Sequence, residues 1–554
     1  MKKRILIVGG VAGGITAATR LRRLSEEDEI IVFERGEYIS FANCGLPYFI
    51  GGVISNRESL LVQTPGGIKA RYNIDVRIQQ EVIRIDRKAH SLRIKNLQSG
   101  DEYDEVFTHL ILSPGANPIK PAIKGIEAAN NIFTLRTIPD SDQIKKFISE
   151  NQPKQVTVIG AGFIGLEMVE NLIKLGLLVR VIEMLNQILP PLDYEMAAIA
   201  EAHLIDQGVE LILNDAVVEI QEHGSKIITK SGKTLKTEMI VLAIGVSPEN
   251  KLAMESGLLI GEKGGIKVNS KLQTNDPDIY AIGDAIEVID FITKSPAQIP
   301  LAWPANRQAR LVADIINGME KEYLGTIGTA IMKLFDLTVA VTGNNERLLQ
   351  IKKIPYQAFH IHPKSHAGYY PGASTLDIKV LISSDSGLIL GAQLIGHEGV
   401  DKRIDIISTA IRTGIKASEL QEFELAYAPP FSSAKDPINY IGYIAENLLK
   451  KEVQLTQWSE IDQLDLQTNV ILDVDEPAER EIGFIANSIN IPLNELRSRL
   501  PELPRDKKIH VYCQVGLRGY IACRILKLNG YDAYNLSGGY KTYVAVKNKE
   551  SSKY

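Results

Sequence analysis

Three cysteines, at positions 44, 513 and 523, are the only thiols in this 554-residue chain, and their surroundings differ. Cys44 lies in SFANCGLPYFIGG, residues 40–52, between Asn43 and Gly45 and just before Pro47. Three roles suit it: a small buried hydrophobe, half of a disulfide, or a reactive thiol. Pro47 and the apolar Tyr48-Phe49-Ile50 predict a helix starting just after the sulfur. A helix N-terminus there would lower a thiol pKa that otherwise sits at about 8.5. Cys513 stands in VYCQVGLRGY, after a β-like run and before a helical one. Backbone N–H groups of that turn, a helix N-terminus and the charge of Arg518 would surround the sulfur, favouring a thiolate and then a persulfide. Cys523, in IACRILKL, falls on the apolar side of a helix and reads as core. Three cysteines without a CxxC pair give neither a disulfide framework nor a zinc site. Single thiols fit a reducing, cytoplasmic setting.

These residues need elements to position them. The strand RILIVGG, a glycine turn, the helical ITAATRLRRLSEED and the strand IIVFER form a βαβ unit ending in Glu34, 20 residues after Gly14. That is the layout of a dinucleotide-binding fold, although Gly9-x-Val11-x-x-Gly14 has Val at the central glycine position. Residues 156–183, VTVIGAGFIGLEMVENLIKLGLLVRVIE, repeat the layout with a complete Gly160-x-Gly162-x-x-Gly165 and a terminal acid, Glu183. Glycines let the backbone close on a pyrophosphate, the helix N-terminus supplies positive dipole, and the acid accepts from a ribose hydroxyl. An acid at 183 favours a free 2′-hydroxyl, hence NADH, with NADPH the second choice. LILSPGANP and IVLAIGVSP each pair an apolar run with a small-residue turn, and DIYAIGDA places Asp284 after a short strand, where it either caps its own backbone or reaches a bound flavin. Arg20 and Arg23 sit one helical turn apart, able to face one phosphate or to form a solvated basic face.

A domain change follows near residue 325, and the chain restarts at Trp458 after a linker-like Lys450-Lys451-Glu452. The length calls for three to four domains. A net charge of −5 gives no reason to expect nucleic acid or a membrane as partner. No apolar run approaches the roughly 20 residues of a membrane span, and MKKRILIVGG reads as a first strand rather than a leader. His360, His362 and His366 form a loose cluster with no ligand pattern around it, so no metal is expected.

The two nucleotide folds, the second inserted in the first, and the segment after them resemble the flavoprotein pyridine nucleotide–disulfide oxidoreductase family over residues 1–447. That resemblance implies an α/β architecture with two Rossmann-like domains: an FAD-binding domain at 1–120 and 246–325 and an NAD(P)H-binding domain at 121–245. An α+β dimerisation domain at 326–447 and a linker at 448–455 would follow. It implies FAD held through Gly9, Gly14, Glu34, Arg35, Asn43, Ser113, Pro114, Gly115, Gly283 and Asp284, and NADH through Gly160, Gly162, Gly165 and Glu183. With no second cysteine near Cys44 and Ala12 where peroxidase and oxidase relatives carry His, SFANCGLPY is similar to the coenzyme A-disulfide reductase subfamily. There a single thiol forms a mixed disulfide with coenzyme A. The likeness brings Arg20, Arg23, Ser40, Asn43, Lys69 and Arg71 toward coenzyme A, and Tyr369 (or its neighbour Tyr370) and Tyr427 across a homodimer as phenols able to protonate a leaving thiolate.

Residues 456–554 resemble a rhodanese domain, α/β in class, with Cys513, Gln514, Gly516 and Arg518 as its persulfide loop. Asp475 stands where that family usually has Arg, and Phe484 where it has His. The combined expectation is an FAD-dependent NADH:coenzyme A disulfide, persulfide or polysulfide reductase that also carries sulfane sulfur. An NADH oxidase or peroxidase cycling Cys44 through sulfenic acid, and a sulfur-carrier or redox-sensing module, are the alternatives.

Overall fold

The computed structural model describes residues 2–551; Met1 and residues 552–554, the outer ends of the first and last expected domains, lie outside them. The chain divides into two compact units, one of residues 1–185 with 214–328, the other of residues 186–213 with 329–554.

The first unit holds both glycine-turn folds. The hydrophobic strand Arg4–Val8 pairs in parallel with Glu29–Glu34 on one side and His109–Leu112 on the other. Asp75–Ile78 and Ile279–Ala281 extend this sheet at its two edges. Ile5, Leu6, Ile7, Ile30, Ile31 and Val32 are buried as a continuous apolar run, the pattern of a parallel sheet covered on both faces. The second sheet is built the same way: Gln155–Ile159 lies between Leu178–Ile182 and Met239–Leu242, with Ile132–Phe133 beyond. In each sheet the strand before the glycine turn is central, so the turn and the acid ending the next strand meet at the strands' carboxyl ends.

The second unit contains two sheets of different kinds. An antiparallel sheet runs in the order 330–334, 337–343, 389–396, 377–383, 356–361. The helix Val400–Thr413 covers it, burying Ile404, Ile407 and Ile411 at helical spacing. A parallel sheet follows in the order 455–456, 533–536, 508–512, 469–473, 489–490. Between the two, the helix Pro437–Leu449 begins at a capping box made by Asp436 and Asn439, and Lys451 turns the chain with φ 58°. The helix Tyr194–Asp206 belongs to this unit, although it follows the second nucleotide turn in sequence.

Candidate functional site

Both glycine turns have the shape their sequences imply. Gly9 adopts φ 99°, and a Cβ there would run into the Ser113 carbonyl, so only glycine lets the turn pass. The Glu34 carboxylate is fixed by two backbone amides, Gly10 N–H donating to Oε2 at 2.7 Å and Gly36 N–H to Oε1 at 2.7 Å. In the second turn the Glu183 carboxylate is held alike, accepting from Ala161 N–H at 2.8 Å and Leu185 N–H at 2.9 Å. At Gly162, by contrast, an added Cβ would meet nothing within 4 Å. The side from which a pyrophosphate would approach the helix Phe163–Lys174 is therefore open, and the second turn fits a dinucleotide. Gly14 packs against the Gly9 carbonyl and Gly165 against that of Gly160, which brings each helix close to its strand. Ser113, Pro114 and Gly115 follow the strand His109–Leu112, with Ser113 N–H bonded to Val8 O at 2.8 Å and Pro114 O accepting from Arg136 at 3.1 Å. Gly283 N–H donates to Gln308 at 2.7 Å, and burial pushes the Asp284 carboxyl up, against the pull of Arg136. The Asp284 side chain does not cap its own short helix. Arg35 is exposed and bridges to Glu249 at 3.2 Å.

Cys44 lies in a 3₁₀ turn, Asn43–Gly45, that leads directly into the expected helix, Leu46–Ile50, with Pro47 in its first turn. Ser40 adopts φ 45° and donates its N–H to Gly10 O at 2.9 Å, tying this segment to the first glycine turn. Asn43 Oδ1 accepts from Cys44 N–H at 3.1 Å and lies 3.7 Å from the sulfur. The expected lowering of the thiol pKa is corrected here. Partial burial and the carboxylates of Glu167 and Asp284 push it up, which outweighs the backbone hydrogen bond. The helix has only five residues, too short a dipole to compete with two nearby carboxylates.

Glu167 was not among the residues legible as functional. It sits two residues after Gly165, an acid in the apolar run Phe163-Ile164-Gly165-Leu166-Glu167-Met168-Val169, and that misplaced charge was the available signal. Burial and neighbouring Glu170 raise its carboxyl to about 7, while a hydrogen bond from Tyr48 opposes them. The same environment raises the Tyr48 phenol to about 12. Cys44, Tyr48 and Glu167 thus form a group in which a proton is held near neutrality beside the thiol.

The expected phosphate fork is not assembled. Arg20 turns to Asp314, a buried acid on the helix Ala302–Ile316, at 2.7 Å, because that carboxylate needs a countercharge. Arg23, Lys69 and Arg71 are exposed, and Lys69 donates to Asn73 at 2.9 Å.

In the second unit Cys513 is fully buried, and its sulfur accepts from Gly516 N–H at 3.2 Å and Gly519 N–H at 3.4 Å. Gly516, with φ 91°, caps the helix Leu517–Leu528, so the loop wraps the sulfur in backbone donors as expected. Arg518 bridges to Asp475 at 2.5 Å and Glu479 at 2.6 Å, and Gln514 N–H donates to Asp475 at 3.2 Å. Cys523 is buried, and burial raises its thiol strongly. Tyr369 and Tyr427, 58 residues apart, are both exposed and share a hydroxyl–hydroxyl hydrogen bond of 2.8 Å.

Two histidines of the loose cluster are each held by a carboxylate and a hydroxyl. His360 bonds Glu195 at 2.8 Å and Ser537 at 2.8 Å; His362 bonds Asp377 at 2.6 Å and Thr542 at 2.9 Å. Asp193, Glu195 and Glu346 converge as metal ligands might, but the buried Lys379 ammonium bridges to all three.

Two dinucleotide turns, an exposed cysteine beside the first, and a buried cysteine in a loop of backbone donors define the class. The chain belongs to the pyridine nucleotide-disulphide oxidoreductase family, which it matches over residues 3–306, with that family's dimerisation domain at 329–437 and a rhodanese-like domain at 457–545. Within the class it is similar to the coenzyme A disulfide reductase of Staphylococcus haemolyticus, 38% identical over 447 residues, which are 80% of this chain and 100% of that protein. Two solved structures resemble the whole chain. Reduced CoADR-RHD of Bacillus anthracis is 53% identical with a TM-score of 0.98, covering 99% of both chains. An NAD-dependent persulfide reductase from A. fulgidus is 36% identical with a TM-score of 0.90, covering 98% of this chain and 100% of that one. The chain is therefore an oxidoreductase of this family with a C-terminal rhodanese domain, as its motifs implied. Membership implies FAD and a nicotinamide nucleotide, and the two glycine turns with their held carboxylates fit them.

Proposed function

We propose that the protein reduces coenzyme A disulfides and persulfides with NADH through Cys44, and that Cys513 carries sulfane sulfur. The observation that supports this most is that Cys44 is the exposed cysteine, while Cys513 and Cys523 are both buried. Its partner sulfur then has to arrive with the substrate. FAD on the first fold and NADH on the second, when bound, supply the electron pair.

The Cys44 thiolate attacks the coenzyme A-bound sulfur of CoA–S–SH, forming Cys44–S–S–CoA as the S–SH bond breaks and hydrosulfide leaves. Reduction of the mixed disulfide by two electrons releases coenzyme A thiol and restores the Cys44 thiolate. The balance is NADH, a proton and the persulfide giving NAD⁺, coenzyme A and hydrogen sulfide. With a symmetric disulfide the first leaving group is coenzyme A itself. Asn43 orients the sulfur, and the Glu167–Tyr48 pair holds a proton beside it. Tyr369 and Tyr427, exposed and sharing a hydrogen bond, would protonate the departing thiolate across a homodimer. Arg23, Lys69 and Arg71 are exposed cations available to the coenzyme's phosphates, whereas Arg20 would have to leave Asp314.

The test is mass spectrometry of the protein under denaturing, non-reducing conditions, as isolated and after incubation with coenzyme A disulfide. A coenzyme A-sized adduct on Cys44, absent from Cys44→Ser, is expected. A wild-type protein that never carries the adduct would overturn the reading.

A further inference from the structure

The Cys513 loop is surrounded by a network of paired charges. Three cations belong to the segments that enclose this loop, and each holds a carboxylate. Arg518, inside the loop, bridges to both Asp475 and Glu479. Arg480, at the end of the short helix Pro477–Arg480, bridges to Asp473 at 2.7 Å and stacks over the Phe484 ring at 4.2 Å. Lys541, whose backbone N–H donates to Gln514 O at 2.9 Å, pairs its ammonium with Asp377. Asp475 also faces the loop backbone directly, accepting from Gln514 N–H and, at 3.3 Å, from Gln514 Nε2. Counting the groups on the loop and the 473–480 segment, Asp473, Asp475, Glu476 and Glu479 give four negative charges against Arg480 and Arg518 with two positive. The donors left for the sulfur are the Gly516 and Gly519 amides, enough for the single charge of a thiolate or persulfide. A second negative charge arriving with a substrate finds two carboxylates, and Arg480, Arg518 and Lys541 are all already paired.

The rim of the same loop is apolar. Val515 and Leu517 flank Gly516, and both are exposed; Ile482 and Phe484, on the segment that carries Gly483 against the Tyr540 hydroxyl, are exposed as well. Tyr540 N–H in turn bonds Cys513 O at 2.8 Å, so this segment and the loop share a neighbour.

We infer that the Cys513 loop takes its sulfur from persulfides borne on an organic thiol and discriminates against inorganic dianions such as thiosulfate, with Asp475 and Glu479 as the specificity-determining residues. The inference rests on the reading of Cys513 as a sulfur carrier. In the transfer the Cys513 thiolate attacks the terminal sulfur of R–S–SH. The Cys513 S–S bond forms, the R–S–S bond breaks, and the electron pair leaves on RS⁻, which takes the proton of the new persulfide. No external oxidant or reductant is needed. With thiosulfate the leaving group is sulfite and the reacting sulfur–sulfur group itself bears two charges, whereas that of a persulfide bears at most one. Specificity then lies in a repulsive element aimed at the wrong donor.

The experiment loads the full-length holoenzyme with sulfur from cysteine persulfide or from thiosulfate, with NADH absent. The gain of one sulfur on Cys513 is read by mass spectrometry, and thiocyanate is then measured on adding cyanide. Wild type is expected to load from cysteine persulfide at least about tenfold faster than from thiosulfate. Asp475→Asn, and independently Glu479→Gln on the more exposed partner, should raise the thiosulfate-to-persulfide rate ratio about tenfold. Equal wild-type rates with the two donors, or a ratio that moves in neither variant, would overturn the inference. Loading of Cys513 from neither donor would instead overturn its sulfur-carrier reading, so the two failures are distinct.

Discussion

At Cys44 the sequence announced a reactive sulfur, and the structure changes what activates it. The short helix after the thiol is present, but the charges acting on the sulfur are carboxylates, among them Glu167, whose own carboxyl is raised to about 7. Its negative charge raises the thiol pKa, so Glu167→Gln should lower it. Alkylation of Cys44 in the reduced enzyme at pH 7 should then speed up a few-fold, and the pH–rate profile should shift to lower pH. An unmoved profile would remove Glu167 from the sulfur's electrostatics. Glu183 carries a separate consequence. Its carboxylate is held by two amides at the end of the strand Leu178–Ile182, and under the proposed use of NADH it would accept from the ribose diol and repel a 2′-phosphate. Glu183→Ala should raise the ratio of kcat/KM for NADPH to that for NADH by about tenfold or more, chiefly through KM for NADPH. Unchanged discrimination would place the preference elsewhere.

Among the elements, those with local causes were legible and those made by packing were not. Glycine spacing gives the two βαβ turns because each glycine answers a backbone need within its own unit. The helix after Cys44 and the loop around Cys513 follow from Pro47 and from Gly516 in the same way. The Cys44–Tyr48–Glu167 group was hidden because it joins the helix Leu46–Ile50 to the helix Phe163–Lys174 across 120 residues of sequence. The Arg20 bridge was hidden for the matching reason, since its partner Asp314 comes from a distant helix. The charged network of the second unit was hidden too, although Lys379 in the apolar run Asp377–Ser383 occupies a core position that only a buried countercharge explains. That Lys is fully buried, and Asp193, Glu195 and Glu346 hold its charged form well above the usual lysine range. Lys379→Met should destabilise the unit by about 3–5 kcal/mol, because three carboxylates lose their countercharge. The denaturation midpoint followed through Trp458, which stacks on Tyr194, would report it. A loss under 1 kcal/mol would show that the carboxylates find other partners. The histidines add a pH dependence. Burial holds His362 below its ordinary pKa while His362 and Lys541 hold Asp377 below its own. Both signs agree: the unfolded chain binds more protons, so this contribution is present at neutral pH and lost as pH falls, first below about 6.5 for the imidazole and then near 4 for the carboxylate. Raised carboxyls at Glu201 and Glu346 act oppositely. The comparison is therefore wild type against His362→Asn, and the stability difference between them should shrink between pH 7.5 and 5.5.

At the scale of the whole molecule, one chain carries two candidate sulfur sites, an exposed cysteine on the dinucleotide unit and a buried one on the rhodanese-like domain. Joining them covalently fixes a one-to-one ratio and a high effective concentration of one site for the other, which matters if sulfur passes between them and is wasted if it does not. On the proposed reading, disulfide reduction needs only Cys44, since no sulfane sulfur is moved. Polysulfide reduction by relay needs both, because Cys513 must first take the sulfur and then give it to coenzyme A or toward Cys44. Three rates of NADH consumption separate these cases. Cys44→Ser should abolish turnover with coenzyme A disulfide and with polysulfide alike. Cys513→Ser should lower the polysulfide rate about tenfold relative to the disulfide rate of the same preparation, a ratio that cancels any loss of folded enzyme. If that ratio equals the wild-type value while Cys44→Ser is inactive, the flavin unit handles polysulfide alone and the relay is excluded. If the wild type itself gives only a stoichiometric burst with small persulfides, the fused domain is a carrier for a protein acceptor instead of one half of a catalyst.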